Sequence, residues 1–302
     1  MKSVEVYNVK KKYGEILALN DVTFSVEKGE IFGLIGPDGA GKTTLFRLMA
    51  TLLNPDEGSI KIEGHDVMHD YHEIRKILGY MPGRFSLYQD LSIEENLKFY
   101  AALFNMDLED GYELIEPIYK QIAPFKKRAA GKLSGGMKQK LALCCALIHH
   151  PHVLLLDEPT TGVDAVSRSE FWDMLYDLKK KNITILVSTP YMDEASRCDR
   201  VALCNEGEIL TIDSPNNITE KFDKTIYAVS ADDKYNLLKE TRLQSNILYC
   251  YPFGSSHHII VDENFSEDIF KEKMMLLNLK NFNIEKIKPS IEDVFINLMK
   301  HE

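Results

Sequence analysis

Short apolar runs between polar turns predict strands near Val4–Val9 and Ala18–Val26. A third run, Glu30 to Ile35, leads through a glycine-rich turn into a helix that begins at Leu45. Ser59-Ile60-Lys61-Ile62-Glu63 alternates with a period of two and stops at a Gly64 turn, as a half-buried strand does. Leu78-Gly79-Tyr80-Met81 reads as the next core strand. From there to about Ile148 the spacing becomes helical, with Leu87, Leu91, Ile93, Leu97, Tyr100 and Leu103 in one segment. Met137, Leu141, Cys144, Cys145 and Ile148 form the stripe of another. Val153 to Leu156 are four apolar residues in a row, the pattern of a parallel strand buried on both faces. A helix near Ser167–Lys180, a strand Ile183–Ser188 and a hairpin pairing Val201–Cys204 with Glu208–Leu210 complete this part.

Ser214-Pro215-Asn216-Asn217 marks a break. Beyond a short helix, the order becomes strand (Ile226–Val229), helix (Lys234–Arg242), two strands joined through Gly254 (Asn246–Tyr251, His257–Val261), helix (Phe265–Leu277) and strand (Asn283–Lys288). A last helix covers Ile291–Met299. That β-α-β-β-α-β order predicts a small ferredoxin-like or similar α+β module. The expected architecture is therefore α/β over residues 1–222, a mixed-sheet core with a helical subdomain at about 86–150. A C-terminal α+β accessory domain is expected at 223–302.

The glycine-rich turn carries the chemistry. Gly36-Pro37-Asp38-Gly39-Ala40-Gly41-Lys42-Thr43-Thr44 satisfies the phosphate-loop pattern G-x-x-x-x-G-K-[ST] between a strand and a helix. Gly36, Gly39 and Gly41 let consecutive N–H groups point inward at phosphate oxygens, and the helix N-terminus adds its positive end. Lys42 supplies a point charge to the β- and γ-phosphates, Thr43 a hydroxyl for Mg²⁺, and Thr44 a donor to the α-phosphate.

Leu133-Ser134-Gly135-Gly136-Met137-Lys138-Gln139 follows, then Val153-Leu154-Leu155-Leu156-Asp157-Glu158-Pro159. Ser134 is a good N-cap, and Gly135 and Gly136 leave room for a phosphate at a helix N-terminus. Asp157 ends a buried strand, where open α/β sheets place ligands. In this order, the segments resemble the phosphate loop, signature motif and Walker B strand of ATP-binding-cassette (ABC) proteins, over about residues 3–220. The resemblance implies that Tyr13 stacks on adenine, that Asp157 meets Mg²⁺ through water, and that Glu158 is the general base or water-orienting group. It also implies that Thr161-Gly162-Val163-Asp164 is the D-loop, and that Tyr88 to Phe104 begins the subdomain touching a membrane partner. Pro289 to Phe295 is similar to the C-terminal element of drug and lipid exporters.

In that family two cassettes sandwich two ATP molecules head to tail, so Ser134, Gly135 and Gly136 would complete a partner's site. The implied partners are a membrane-spanning subunit and a second cassette, identical or not; the implied place is the cytoplasmic face of the cell membrane. Three positions depart from the pattern. Gly83 stands where a Mg²⁺-ligating glutamine is usual, and Gln89 lies six residues too late to replace it simply. Pro190 stands where a histidine usually contacts the γ-phosphate, and proline has no N–H to offer. Asp38 puts a carboxylate in a loop that is commonly neutral there.

Composition narrows the alternatives. The 302 residues carry a formal charge of −10, and no Lys/Arg block exceeds three, which argues against a nucleic-acid partner. No segment approaches the ~20 apolar residues of a spanning helix, and Met1–Glu5 lacks the apolar core of a signal peptide. Five cysteines without metal or redox spacing suit a reducing compartment. His257-His258, with no carboxylate or cysteine spaced to complete a metal site, reads as strand start or loop. Two further expectations stay beside the exporter ATPase: a mainly regulatory ATP-binding cassette with low turnover, and a soluble ABC protein unconnected with transport.

Overall fold

The computed structural model describes residues 1–277 and 279–299. It divides into two units, Met1–Pro215 and Asn216–Glu302. The last three residues of the C-terminal domain expected from sequence lie outside the described ones.

Two sheets organise the first unit. Strands β1 (Lys2–Tyr13), β2 (Ile16–Glu27), β4 (Glu57–Ile62) and β5 (His65–Asp66) form an antiparallel sheet in the order β2-β1-β4-β5. Both long strands exceed their apolar stretches. Lys10 and Lys11 stay in the ladder by pairing with Glu57 and Asp56 at 2.8 and 2.7 Å, so Tyr13 is the last residue of β1.

The second sheet has six strands in the order β10-β9-β3-β8-β7-β6. These are β3 (Ile31–Ile35), β6 (Leu78–Met81), β7 (Val153–Asp157), β8 (Thr184–Thr189), β9 (Arg200–Asn205) and β10 (Glu208–Asp213). Every pairing is parallel except β9 with β10, which makes the sheet mixed. Strands β3, β7 and β8 are buried along their whole length, which is why each has a core of consecutive apolar residues, 185–187 in β8 and 153–156 in β7. Helix α1 (Lys42–Met49) joins both sheets in one core, through Leu45, Phe46, Leu48 and Met49 against Val4, Ile60, Phe32 and Leu34.

Helix α2 (Tyr71–Ile77) precedes β6, and the expected helical stretch follows as α3 (Ile93–Leu103), α4 (Leu108–Ile122) and α5 (Gly135–Leu147). Ser92 and Glu95 form a reciprocal capping box that starts α3. Helix α6 (Ala165–Lys180) lies between β7 and β8 in the chain and buries Phe171, Trp172, Leu175 and Leu178. Four cysteines of this unit, Cys144, Cys145, Cys198 and Cys204, are buried, and burial pushes each thiol up, Cys204 to about 12.

After α7 (Pro215–Glu220), the second unit runs β11 (Thr225–Ser230), α8 (Lys234–Arg242), β12 (Ile247–Phe253), β13 (Ser256–Val261), α9 (Glu267–Leu276), β14 (Asn283–Ile287) and α10 (Ile291–Met299). The sheet is antiparallel in the order β12-β13-β11-β14, the ferredoxin-like arrangement. One face carries Val229, Cys250, Ile259 and Val261 against Leu237 of α8 and Phe270 and Met274 of α9. The other carries Ile226, Tyr251 and Ile260, with Ile296 of α10 against them.

His258 does meet a carboxylate, from a residue 35 positions later. Its Nδ1 lies 2.7 Å from Asp293 Oδ1, to which the Tyr251 hydroxyl also donates at 2.5 Å, while the Ser290 N–H and hydroxyl donate to Oδ2. This is a hydrogen-bonded anchor, and among the described residues no cluster of three or more His, Cys, Asp or Glu side chains gathers around it. Burial alone would raise the Asp293 carboxyl; the bonds from His258, Ser290 and Tyr251 outweigh it and hold it below its ordinary 3.8.

A depressed native value means stability that is present above about pH 4 and lost as pH falls through that value. Asp293→Ala should therefore cost the second unit about 2 kcal/mol at neutral pH and flatten its acid sensitivity. Hydrogen exchange over residues 225–299 reads this; equal protection in both proteins would show the anchor contributes nothing.

Candidate nucleotide-binding site

Four loops leave the parallel strands at the same edge of the sheet. They follow β3 (Gly36–Gly41), β6 (Pro82-Gly83), β7 (Glu158) and β8 (Pro190), the carboxyl edge where such sheets bind ligands. Gly41 shows why the first loop needs glycine. Its φ is +89°, and a Cβ there would stand 2.5 Å from the Ala18 carbonyl of β2. The same contact brings the β1–β2 hairpin against the loop. Tyr13, paired with Ile16 in that hairpin and 43% exposed, sits just beyond.

Lys42 is buried at the start of α1. Its ammonium donates to the carbonyls of Gly36 and Pro37 at 2.8 and 2.9 Å and lies 3.7 Å from the Glu158 carboxylate. A buried cation held mainly by neutral carbonyls is suited to accept an anion. Thr43 Oγ1 donates to Asp157 Oδ1 at 3.1 Å, so helix α1 and the end of β7 meet through the two residues expected at the metal. Both offer hard oxygen donors, the kind Mg²⁺ takes alongside water and substrate phosphates. Thr44 follows in the first turn of α1, while Pro37 and Ala40 shape the loop through an Ala40 N–H to Pro37 carbonyl bond of 3.3 Å. Asp38 and Gly39 are exposed at its tip, which leaves the Asp38 charge to solvent.

Glu158 is half-buried and its backbone is unusual. With φ at +49° it occupies the left-handed region, which costs a non-glycine residue roughly 1–3 kcal/mol. Its N–H is met by both the carbonyl and the hydroxyl of Ser188, each at 3.0 Å. Sequence reading did not single out Ser188, nor Tyr80 of β6. Burial first, then the Asp157 charge, pushes the Tyr80 phenol up to about 12, while Arg47 of α1 pulls the other way.

Ser134, Gly135 and Gly136 lie elsewhere. Ser134 caps α5 by accepting from the Met137 N–H at 3.4 Å, and both Ser134 and Gly135 are exposed. A Cβ on Gly135 or Gly136 would face the Gly162 carbonyl at 3.4 Å or Ser167 at 2.9 Å, so the signature glycines pack beside the D-loop. Asp164 caps α6 through bonds from the Val166 and Ser167 N–H groups. Among the described residues, no hydrogen bond or ion pair joins residues 134–136 to residues 36–44.

The departures have physical surroundings too. A Cβ on Gly83 would stand 3.1 Å from the Asp157 carbonyl, so the position does abut the Walker B strand. Gln89 points the chain elsewhere: its carbonyl accepts from the Gly131 N–H at 2.8 Å. Beside Pro190, the Thr189 hydroxyl is taken up by the Tyr191 N–H at 3.1 Å, and the Tyr191 ring lies under the Arg168 guanidinium at 5.1 Å.

Comparison with known proteins identifies the family. Residues 19–161 match the ABC transporter family. The chain is 39% identical over 279 residues to the probable multidrug ABC transporter ATP-binding protein YbhF of Escherichia coli (strain K12), covering 91% of this chain and 48% of that protein. It thus spans about half the length of that relative. With the Nod factor export ATP-binding protein I of Burkholderia orbicola (strain AU 1054) it shares 36% identity over 260 residues, covering 82% of this chain and 85% of the other. A dimeric structure of the ATP-binding cassette MJ0796, in a post-hydrolysis state bound to ADP and Pi, is similar with a TM-score of 0.63 at 27% identity, covering 70% of this chain and 98% of that one. The chain therefore belongs to the ABC transporter family, on the ATP-binding side of it.

Proposed function

We propose that the chain is the ATP-binding and ATP-hydrolysing subunit of an ABC exporter, acting in a cassette dimer on a separate membrane-spanning subunit at the cytoplasmic face of the membrane. The observation that carries this is the division of the site. Lys42, Thr43, Asp157 and Glu158 converge, while Ser134–Gly136 stand apart beside the D-loop, with Ser134 and Gly135 exposed. Two copies, or this chain with a related one, would each complete the other's site. The export direction rests on the names of the two relatives, and among the described residues no helix is long and apolar enough to cross a membrane.

In this reading Tyr13 stacks on adenine and the loop N–H groups of residues 36–44 bind phosphate oxygens. Lys42 exchanges its loop carbonyls for the β- and γ-phosphates, and Glu158 orients the attacking water. Thr43 and Asp157 would hold Mg²⁺, which supplies charge for the phosphates. Ser134 and the Gly135 and Gly136 backbone then close on the nucleotide of the opposite cassette.

A second reading, a regulatory cassette with low turnover, is favoured by Gly83 and Pro190, which provide neither the usual glutamine nor the usual histidine. Ser134→Arg tests the shared site. In a homodimer it should lower turnover on the order of 10²-fold, while ATP affinity of the monomer shifts by no more than about twofold. Loss of monomer binding would place Ser134 in its own chain's site and end the dimer reading.

A further inference from the structure

We propose that Ser188 is a positioning residue for hydrolysis, which fixes Glu158 just after β7 through one buried hydroxyl that the Asp157 carboxylate holds in place. The inference rests on the reading of Glu158 as the water-orienting group. Ser188 is fully buried near the end of β8, in register with Asp157 of β7. Its hydroxyl donates to Asp157 Oδ1 at 2.6 Å and accepts from the Glu158 N–H at 3.0 Å. A hydroxyl is the smallest side chain that can donate one way and accept the other. It thereby extends a chain of contacts from Thr43 through Asp157 to the Glu158 backbone.

The geometry says what this accomplishes. Glu158 takes a left-handed turn, with φ at +49°, directly after the strand, and its carboxylate then lies 3.7 Å from the Lys42 ammonium. That turn persists only where neighbouring groups over-determine it. The Ser188 carbonyl holds the Glu158 N–H as part of the strand; the hydroxyl adds a second hold and ties it to the Asp157 carboxylate. Removing the hydroxyl leaves the backbone bond, so the fold survives while the carboxylate placement loosens. Misplacement by about 1 Å can cost on the order of 10²-fold in rate.

The test uses the full chain, with ATP hydrolysis, ATP affinity in chelator and thermal unfolding measured on each variant. Ser188→Ala should lower kcat by about tenfold to a hundredfold, with ATP affinity changed less than about threefold. Ser188→Cys, close in shape but a weak hydrogen-bonder, keeps the packing and should lose turnover in the same way. In a Glu158→Gln background, Ser188→Ala should alter the remaining rate by less than about twofold, because the two act as one unit. Full turnover in Ser188→Ala or Ser188→Cys, beside a slow Glu158→Gln, overturns the proposal and leaves the reading of Glu158 intact. An equal slowing in both backgrounds overturns it as well, since Ser188 would then act other than through Glu158. Undiminished turnover in Glu158→Gln sinks the reading of Glu158 and the proposal with it.

Discussion

Lys42→Ala should lower Mg-ATP affinity on the order of 10²-fold while the fold survives. The ammonium is buried against the Gly36 and Pro37 carbonyls, and its one ion pair, with Glu158, is long at 3.7 Å. Its removal takes away the cation that the Gly36 and Pro37 carbonyls hold in this loop, and the loop N–H groups compensate in part. Two carbonyls and a half-exposed carboxylate are left behind, which solvent can satisfy. Calorimetric titration with ATP reads the effect, and near-unchanged affinity would sink the assignment of the phosphate loop.

The second large effect belongs to Glu158. Glu158→Gln keeps the side chain's shape but removes its charge, so turnover should fall on the order of 10²–10³-fold with ATP affinity retained. Because the left-handed backbone at this position is held by Ser188, the amide should sit where the carboxylate did. ATP should then accumulate in a closed dimer, visible as an ATP-dependent shift in size-exclusion chromatography. A homodimer of the variant that hydrolyses ATP at the parent's rate would exclude Glu158 as the water-orienting group.

What could be read from the chain, and what could not, follows from how far apart the interacting groups lie. The Gly36–Thr44 segment is contiguous and its shape is set by local backbone geometry, so the letters carry the expectation of a phosphate loop. The same holds for Asp157 at the end of four apolar residues and for Ser134 ahead of a helix. The order of the second unit's elements was legible because each strand and helix keeps its own period. Ser188 was not legible. Its role arises from the pairing of β8 with β7, and a serine at the end of an apolar strand has no local mark. Asp293 illustrates the same limit, since it reaches Tyr251 and His258 from 42 and 35 residues away. The full length of β1 was hidden for another reason: its lysines stay in the strand through ion pairs rather than apolar burial.

One feature of the interior also sets how the molecule meets oxidants and electrophiles. All five thiols are buried; Cys250, in the core of the second unit, is raised to about 11 and the other four are raised as well. Thiolate is the reactive form, so the folded chain presents almost no nucleophilic sulfur at neutral pH. Modification then has to wait for opening of the surrounding core. Cys250 lies in the core of the second unit and the other four in the first, so their alkylation rates would show whether the two cores open together or one at a time.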